Sequence, residues 1–85
     1  MMSQQEFLIL IRDKLVLLRH DVTDDPGIGS LIGLITQQLQ TLATPERDLL
    51  LDMRIRVMNL MADVVIQVPL VEIEIMINSR LGQLP

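Results

Sequence analysis

Apolar residues recur along this chain at spacings of three and four, interrupted by short polar or proline-bearing segments. Leu8, Ile11, Leu15, Leu18 and Val22 form the first such row, the signature of an amphipathic helix. Gln5, Arg12 and Arg19, with Glu6, Asp13 and His20 beside them, recur every seven residues as a narrow polar stripe. Apolar residues wrap most of the remaining circumference, so this helix is expected to be buried on more than one side. Ser3-Gln4-Gln5-Glu6 opens it as a capping box, with Ser3 and Glu6 exchanging side-chain to backbone hydrogen bonds.

Asp24-Asp25-Pro26-Gly27 is strong turn chemistry, with Asp25 as a cap and Pro26 in the next first turn. The second row, Ile28, Leu31, Ile32, Ile35, Leu39 and Leu42, is the cleanest in the chain, and its opposite face is polar but uncharged. Thr44-Pro45-Glu46 is the second break, read as a Thr44 cap with Pro45 in the first helical position. A long helix through Ile66 follows, its wet stripe built from Asp48, Asp52, Arg56, Asn59, Asp63 and Gln67. Asp52 and Arg56 are spaced to pair. Val68-Pro69 ends this helix.

The last segment leaves two readings open. Val71-Glu72-Ile73-Glu74-Ile75-Met76-Ile77 alternates like a strand and is rich in branched residues. A lone strand needs a partner, and the rest of the chain offers none. Residues 70–78 are therefore either part of a fourth helix or a strand that pairs with its copy in a second subunit. No internal repeat and no low-complexity tract is found. The expected fold is all-α: a compact bundle of three to four helices near 3–20, 26–42, 45–66 and 70–81, forming a single domain over residues 1–85.

Composition sharpens this picture. At 85 residues, with 49% hydrophobic and 21% charged residues, the chain is too apolar for disorder. Without cysteine it holds no disulfide and no thiolate-bound metal. A net charge of −4, with Lys14 the sole lysine, argues against nucleic acid as a partner. A domain this small hides only about 60–65% of its unfolded surface. The clusters Phe7–Ile11, Leu15–Leu18, Leu49–Leu51 and Val64–Ile66 then exceed what one copy can cover. The surplus points to an oligomer or a protein partner. The uncharged stretch from Pro26 to Pro45 carries Thr36, Gln37, Gln38, Gln40 and Thr41, so no membrane span is expected. A cytoplasmic protein is the simplest expectation.

Candidate chemistry is sparse. His20 is the single histidine and falls at a helix end, where a cationic imidazole is favoured by the helix dipole. Asp21, Asp24 and Asp25 make an acidic loop beside it, without the spacing of a calcium-binding loop. Ile28-Gly29-Ser30-Leu31 places a serine and a leucine near a helix start, after an acidic loop, in an acidic helical chain. This resembles the attachment site of acyl and peptidyl carrier proteins, and the resemblance implies a phosphopantetheine arm on Ser30. The chain departs from that pattern in having Gly29 where acyl carriers have aspartate, and no acidic residue on the second helix. Arg12, Arg19, Arg47, Arg54 and Arg56 could line a site shared between subunits of a small helical dimeric enzyme. Met53, Met58, Met61 and Met76 read as adaptable core filling.

The expectation that emerges is a non-enzymatic interaction, adaptor or regulatory module that self-associates through apolar helix faces. Its partner is itself, as a homodimer or larger, or another protein. No catalytic residue, metal ligand or cofactor is assigned. The expected interface residues are Leu8, Ile11, Leu15 and Leu18 on the first helix, Gly29 and Gly33 on the second, and Leu50, Met53, Val57, Leu60 and Met61 on the third. The two glycines enter because small residues four apart let another backbone approach closely.

Overall fold

The computed structural model describes residues 2–21, 26–41, 44–63 and 68–84. These form four helices and, among the described residues, no strand. The helices are α1 (Gln4–Asp21), α2 (Pro26–Thr41), α3 (Glu46–Asp63) and α4 (Val68–Gln83). The chain divides into two compact units, Met1–Thr44 and Pro45–Pro85, each built on one pair of helices.

In the first unit the capping box forms as its sequence demands. The Glu6 amide donates to Ser3 Oγ at 3.2 Å, and the Ser3 amide donates to Glu6 Oε1 at 3.4 Å. Together they satisfy two of the backbone donors that a helix start leaves open. Phe7, Leu8, Ile11, Leu15 and Leu18 are the buried row of α1. They pack with Ile28, Leu31 and Ile35 of α2, while Ile32 and Leu39 are half-buried beside them. Val22 and Leu42, expected to extend these rows, lie outside the described residues.

The second unit repeats this arrangement. Leu49, Leu50, Met53, Val57 and Leu60 are the buried row of α3, against Leu70, Ile73 and Ile77 of α4. The start of α3 differs in detail from expectation. The Leu49 amide donates to the Pro45 carbonyl at 3.0 Å, so Pro45 holds the cap position and Glu46 opens the helix. Thr44 lies one residue earlier, and its amide donates to Gln38 Oε1. The expected extension of α3 through residue 66 lies outside the described residues.

Residues 70–78 are helix, so the alternative of a strand paired between subunits is overturned. The reason is geometric. Leu70, Ile73 and Ile77 fall on one helical face and are buried together. A strand would throw Leu70 to the face opposite Ile73 and Ile77. Pro69, expected to act only as a stop, sits in the first turn of α4, where its missing N–H has no helical partner to lose.

The expectation of no internal repeat is corrected as well. Each boundary of α3 and α4 lies 42 residues beyond its counterpart in α1 and α2: Gln4 and Glu46, Asp21 and Asp63, Pro26 and Val68, Thr41 and Gln83. The buried residues obey the same offset without exception among those described, from Phe7 and Leu49 to Ile35 and Ile77. Residue identity between the halves is confined to a few pairs, among them Leu8/Leu50, Arg12/Arg54, Leu18/Leu60 and Ile35/Ile77. The repeat lives in the register of burial, which is why comparing letters along the chain does not find it.

Candidate functional site

Two features stand out from these helices: a buried polar closure in each unit, and rows of aliphatic side chains turned to solvent.

Arg80 closes the second unit. It stands on the buried face of α4, in step with Leu70, Ile73 and Ile77. Its Nε donates to Glu46 Oε2 at 2.6 Å and its Nη2 to Glu46 Oε1 at 3.1 Å. This is the two-pronged carboxylate grip that arginine geometry favours. The side chains are only 9% and 13% exposed, so the charges face each other with little solvent between. The hydrogen bond to Glu46 raises the Arg80 pKa above its ordinary value, against the opposing pull of burial, and the carboxylate charge adds to the rise. Because Glu46 opens α3 and Arg80 lies near the end of α4, the contact also shows that the two helices run antiparallel. A second contact agrees, with Arg54 Nη1 donating to Asn78 Oδ1 at 3.3 Å.

Gln38 closes the first unit. It is buried in step with Ile28, Leu31 and Ile35. Its Nε2 donates to Gln4 Oε1 at 3.3 Å and to the Thr44 carbonyl at 2.7 Å, and its Oε1 accepts from the Thr44 amide at 3.2 Å. One amide thus ties the end of α2 to the start of α1 and to the backbone leading out of the unit. Among the described residues, no buried side-chain nitrogen or oxygen lacks a hydrogen-bond partner.

Sequence reasoning missed both closures. Neither Gln38 nor Arg80 is apolar, so neither entered a row defined by hydrophobicity. The signal was present in spacing: Ile28, Leu31, Ile35, Gln38 and Leu70, Ile73, Ile77, Arg80 carry the same intervals of three, four and three.

The residues expected to form the interface are placed as follows. Leu8, Ile11, Leu15, Leu18, Leu50, Met53, Val57 and Leu60 are buried within the chain itself. Met61 and Gly29 are half-buried, and Gly33 is exposed. A methyl group at Gly33 would meet nothing within 4 Å, and one at Gly29 only the Arg19 guanidinium carbon at 4.0 Å. The outward aliphatic residues are different ones. On α1 they are Ile9, Leu10, Val16 and Leu17, with Leu17 67% exposed. On α3 they are Ile55 and Met58, and on α4 Val68, Val71 and Ile75, with Val68 70% and Ile75 62% exposed. From the 3.6-residue period, Ile9 and Val16 stand opposite the buried row of α1, and Val71 and Ile75 opposite that of α4.

The other candidates carry little chemistry. Asp24 and Asp25 lie outside the described residues, as do the side chains of His20 and Asp21. Ser30 is an exposed residue of α2. Arg56 pairs with Asp52 at 3.2 Å as its spacing predicted, with both side chains well exposed, an arrangement that contributes little to stability. Arg12 and Arg54 are half-buried, and Arg19 and Arg47 are exposed. No group of three or more potential metal ligands occurs among the described residues. No helix of the described residues is long and apolar enough to cross a membrane. No family model, no curated protein and no solved structure matches the chain.

Proposed function

We propose that this chain is a non-enzymatic, cytoplasmic helical interaction module that self-associates through apolar helix faces. The observation that carries the reading is the set of aliphatic side chains turned away from the buried rows. Ile9 and Val16, and Leu10 and Leu17, are each seven residues apart on α1, while Val68, Val71 and Ile75 follow one another along α4. Scattered exposed leucines need no explanation; aliphatic rows at helical spacing are the form in which one helix presents itself to another. The proposed interface comprises these outward positions, because most of the residues expected from the sequence are buried in the described helices. The buried rows do the separate work of holding each pair of helices together.

The test separates assembly from folding. Leu17→Glu and Ile75→Glu place a charge on an outward face, where a single copy can solvate it. Each is expected to leave the helical circular dichroism and cooperative melting in place while lowering the solution mass measured by light scattering. Variants that keep the wild-type mass would remove these rows from the interface.

A further inference from the structure

We infer that the chain is a tandem of one 42-residue helical-hairpin unit, and that the polar pair closing each unit, 4 with 38 and 46 with 80, is a pairing code that tells the two units apart. This inference does not depend on self-association.

The equivalence rests on several features sharing one offset. A single shift of 42 carries the bounds of both helices of the first unit onto those of the second. Among the described residues, the same shift carries every buried residue of the first unit onto a buried residue of the second, including the polar Gln38 onto Arg80. It carries the first-turn hydrogen bond from Phe7 N to the Ser3 carbonyl onto that from Leu49 N to the Pro45 carbonyl, both 3.0 Å. It carries the contact of Gln38 with Gln4 onto the contact of Arg80 with Glu46. Two unrelated hairpins could share a helical period; sharing the phase of four helices, a helix start and a cross-helix contact requires a common plan.

The apolar rows of the two units are nearly interchangeable. Ile11 answers to Met53, Leu15 to Val57, Ile28 to Leu70 and Leu31 to Ile73. Substitutions of similar volume are well tolerated in cores, so apolar packing alone discriminates weakly between α1 with α2 and α1 with α4. The closing pairs discriminate strongly. Opposite Gln4, Arg80 would lose the charged grip of the Glu46 carboxylate. Opposite Gln38, Glu46 would keep a hydrogen bond and lose its countercharge. A buried charge deprived of its partner is strongly unfavourable, and a buried polar position that fixes pairing is its best-attested use. Each helix thus carries the chemistry that admits only its own neighbour.

An exchange of four side chains within the full-length chain tests this at constant composition. The crossed chain, Gln38→Arg with Arg80→Gln, mismatches both closures. The fully exchanged chain adds Gln4→Glu and Glu46→Gln, giving each unit the other's pair intact. Thermal unfolding at neutral pH is the readout. The crossed chain is expected to melt about 10 °C or more below wild type, from the few-degree shift that each kcal/mol produces in a domain of this size. The fully exchanged chain is expected to recover more than half of that loss. In both chains residue 38 loses the acceptor that holds the Thr44 amide, so this difference cancels between them. The crossed chain would match its pairs only by joining α1 with α4 and α2 with α3, so helix pairing is read alongside melting by cross-linking through cysteines introduced on α1 and α2. Re-pairing of the crossed chain supports the inference; two results overturn it: a crossed chain as stable as wild type with α1 still paired to α2, or, with that pairing kept, a fully exchanged chain no better than the crossed one. If the crossed chain does not fold at all, cooperative melting of the fully exchanged chain supports the inference and its failure to fold overturns it.

Discussion

Arg80 illustrates how much one side chain can decide. It is long, charged and nearly buried, and what makes this tolerable is Glu46 gripping it with both carboxylate oxygens. Removing the partner is therefore worse than removing the pair. Glu46→Ala removes the carboxylate that grips the buried guanidinium, and is expected to lower unfolding free energy by about 3–5 kcal/mol, measured by urea denaturation. The sign of any pH effect follows from the raised Arg80 pKa. While Glu46 is ionised, the contribution is lost on the alkaline side only as pH rises through the folded guanidinium value, so neutral to mildly alkaline buffers leave it intact. At this scale the apolar members of each buried row were legible, because hydrophobicity and spacing agree for residues such as Leu8, Ile35 and Leu50. Gln38 and Arg80 were not, because their chemistry argues for solvent while their position argues for the core. Position prevails where a matched polar partner exists.

At the scale of the element, local chemistry fixes starts more sharply than identities along the helix. The Ser3–Glu6 box formed as read. Ser3→Ala is expected to cost about 1 kcal/mol by thermal denaturation, the usual loss on removing an N-cap hydroxyl. Thr44 and Pro45 show the limit of such reading. Thr44 had the chemistry of a cap, but its amide is held by Gln38, and the first helical hydrogen bond of α3 falls on the Pro45 carbonyl. The segment 71–77 shows the same limit from the other side. Its alternation of branched and acidic residues fits a strand as well as a helix, and intrinsic preference differs by only about 1 kcal/mol per residue. What decides is that Leu70, Ile73, Ile77 and Arg80 meet α3 on one helical face, a long-range requirement that no window of seven residues contains.

For the whole molecule, the informative pattern is two units written in different letters with one register of burial. Selection on a core acts on volume and position, so Ile11 and Met53 can do the same work without resembling each other. The outward faces carry no such shared constraint. Gly29 and Gly33 on α2 stand where Val71 and Ile75 stand on α4, and Asp13 on α1 where Ile55 stands on α3. That divergence confines the aliphatic rows of the first unit to α1 and spreads those of the second over both helices. The expectation of excess apolar surface came from the short chain together with its aliphatic clusters. Its location could not, since assigning it requires knowing which apolar residues the chain buries for itself. The most direct measurement is the solution mass of the wild-type chain by light scattering after size exclusion, over a wide range of dilution. Self-association through the outward rows requires a dimer or larger species that persists on dilution; a clean monomer at every concentration would contradict it.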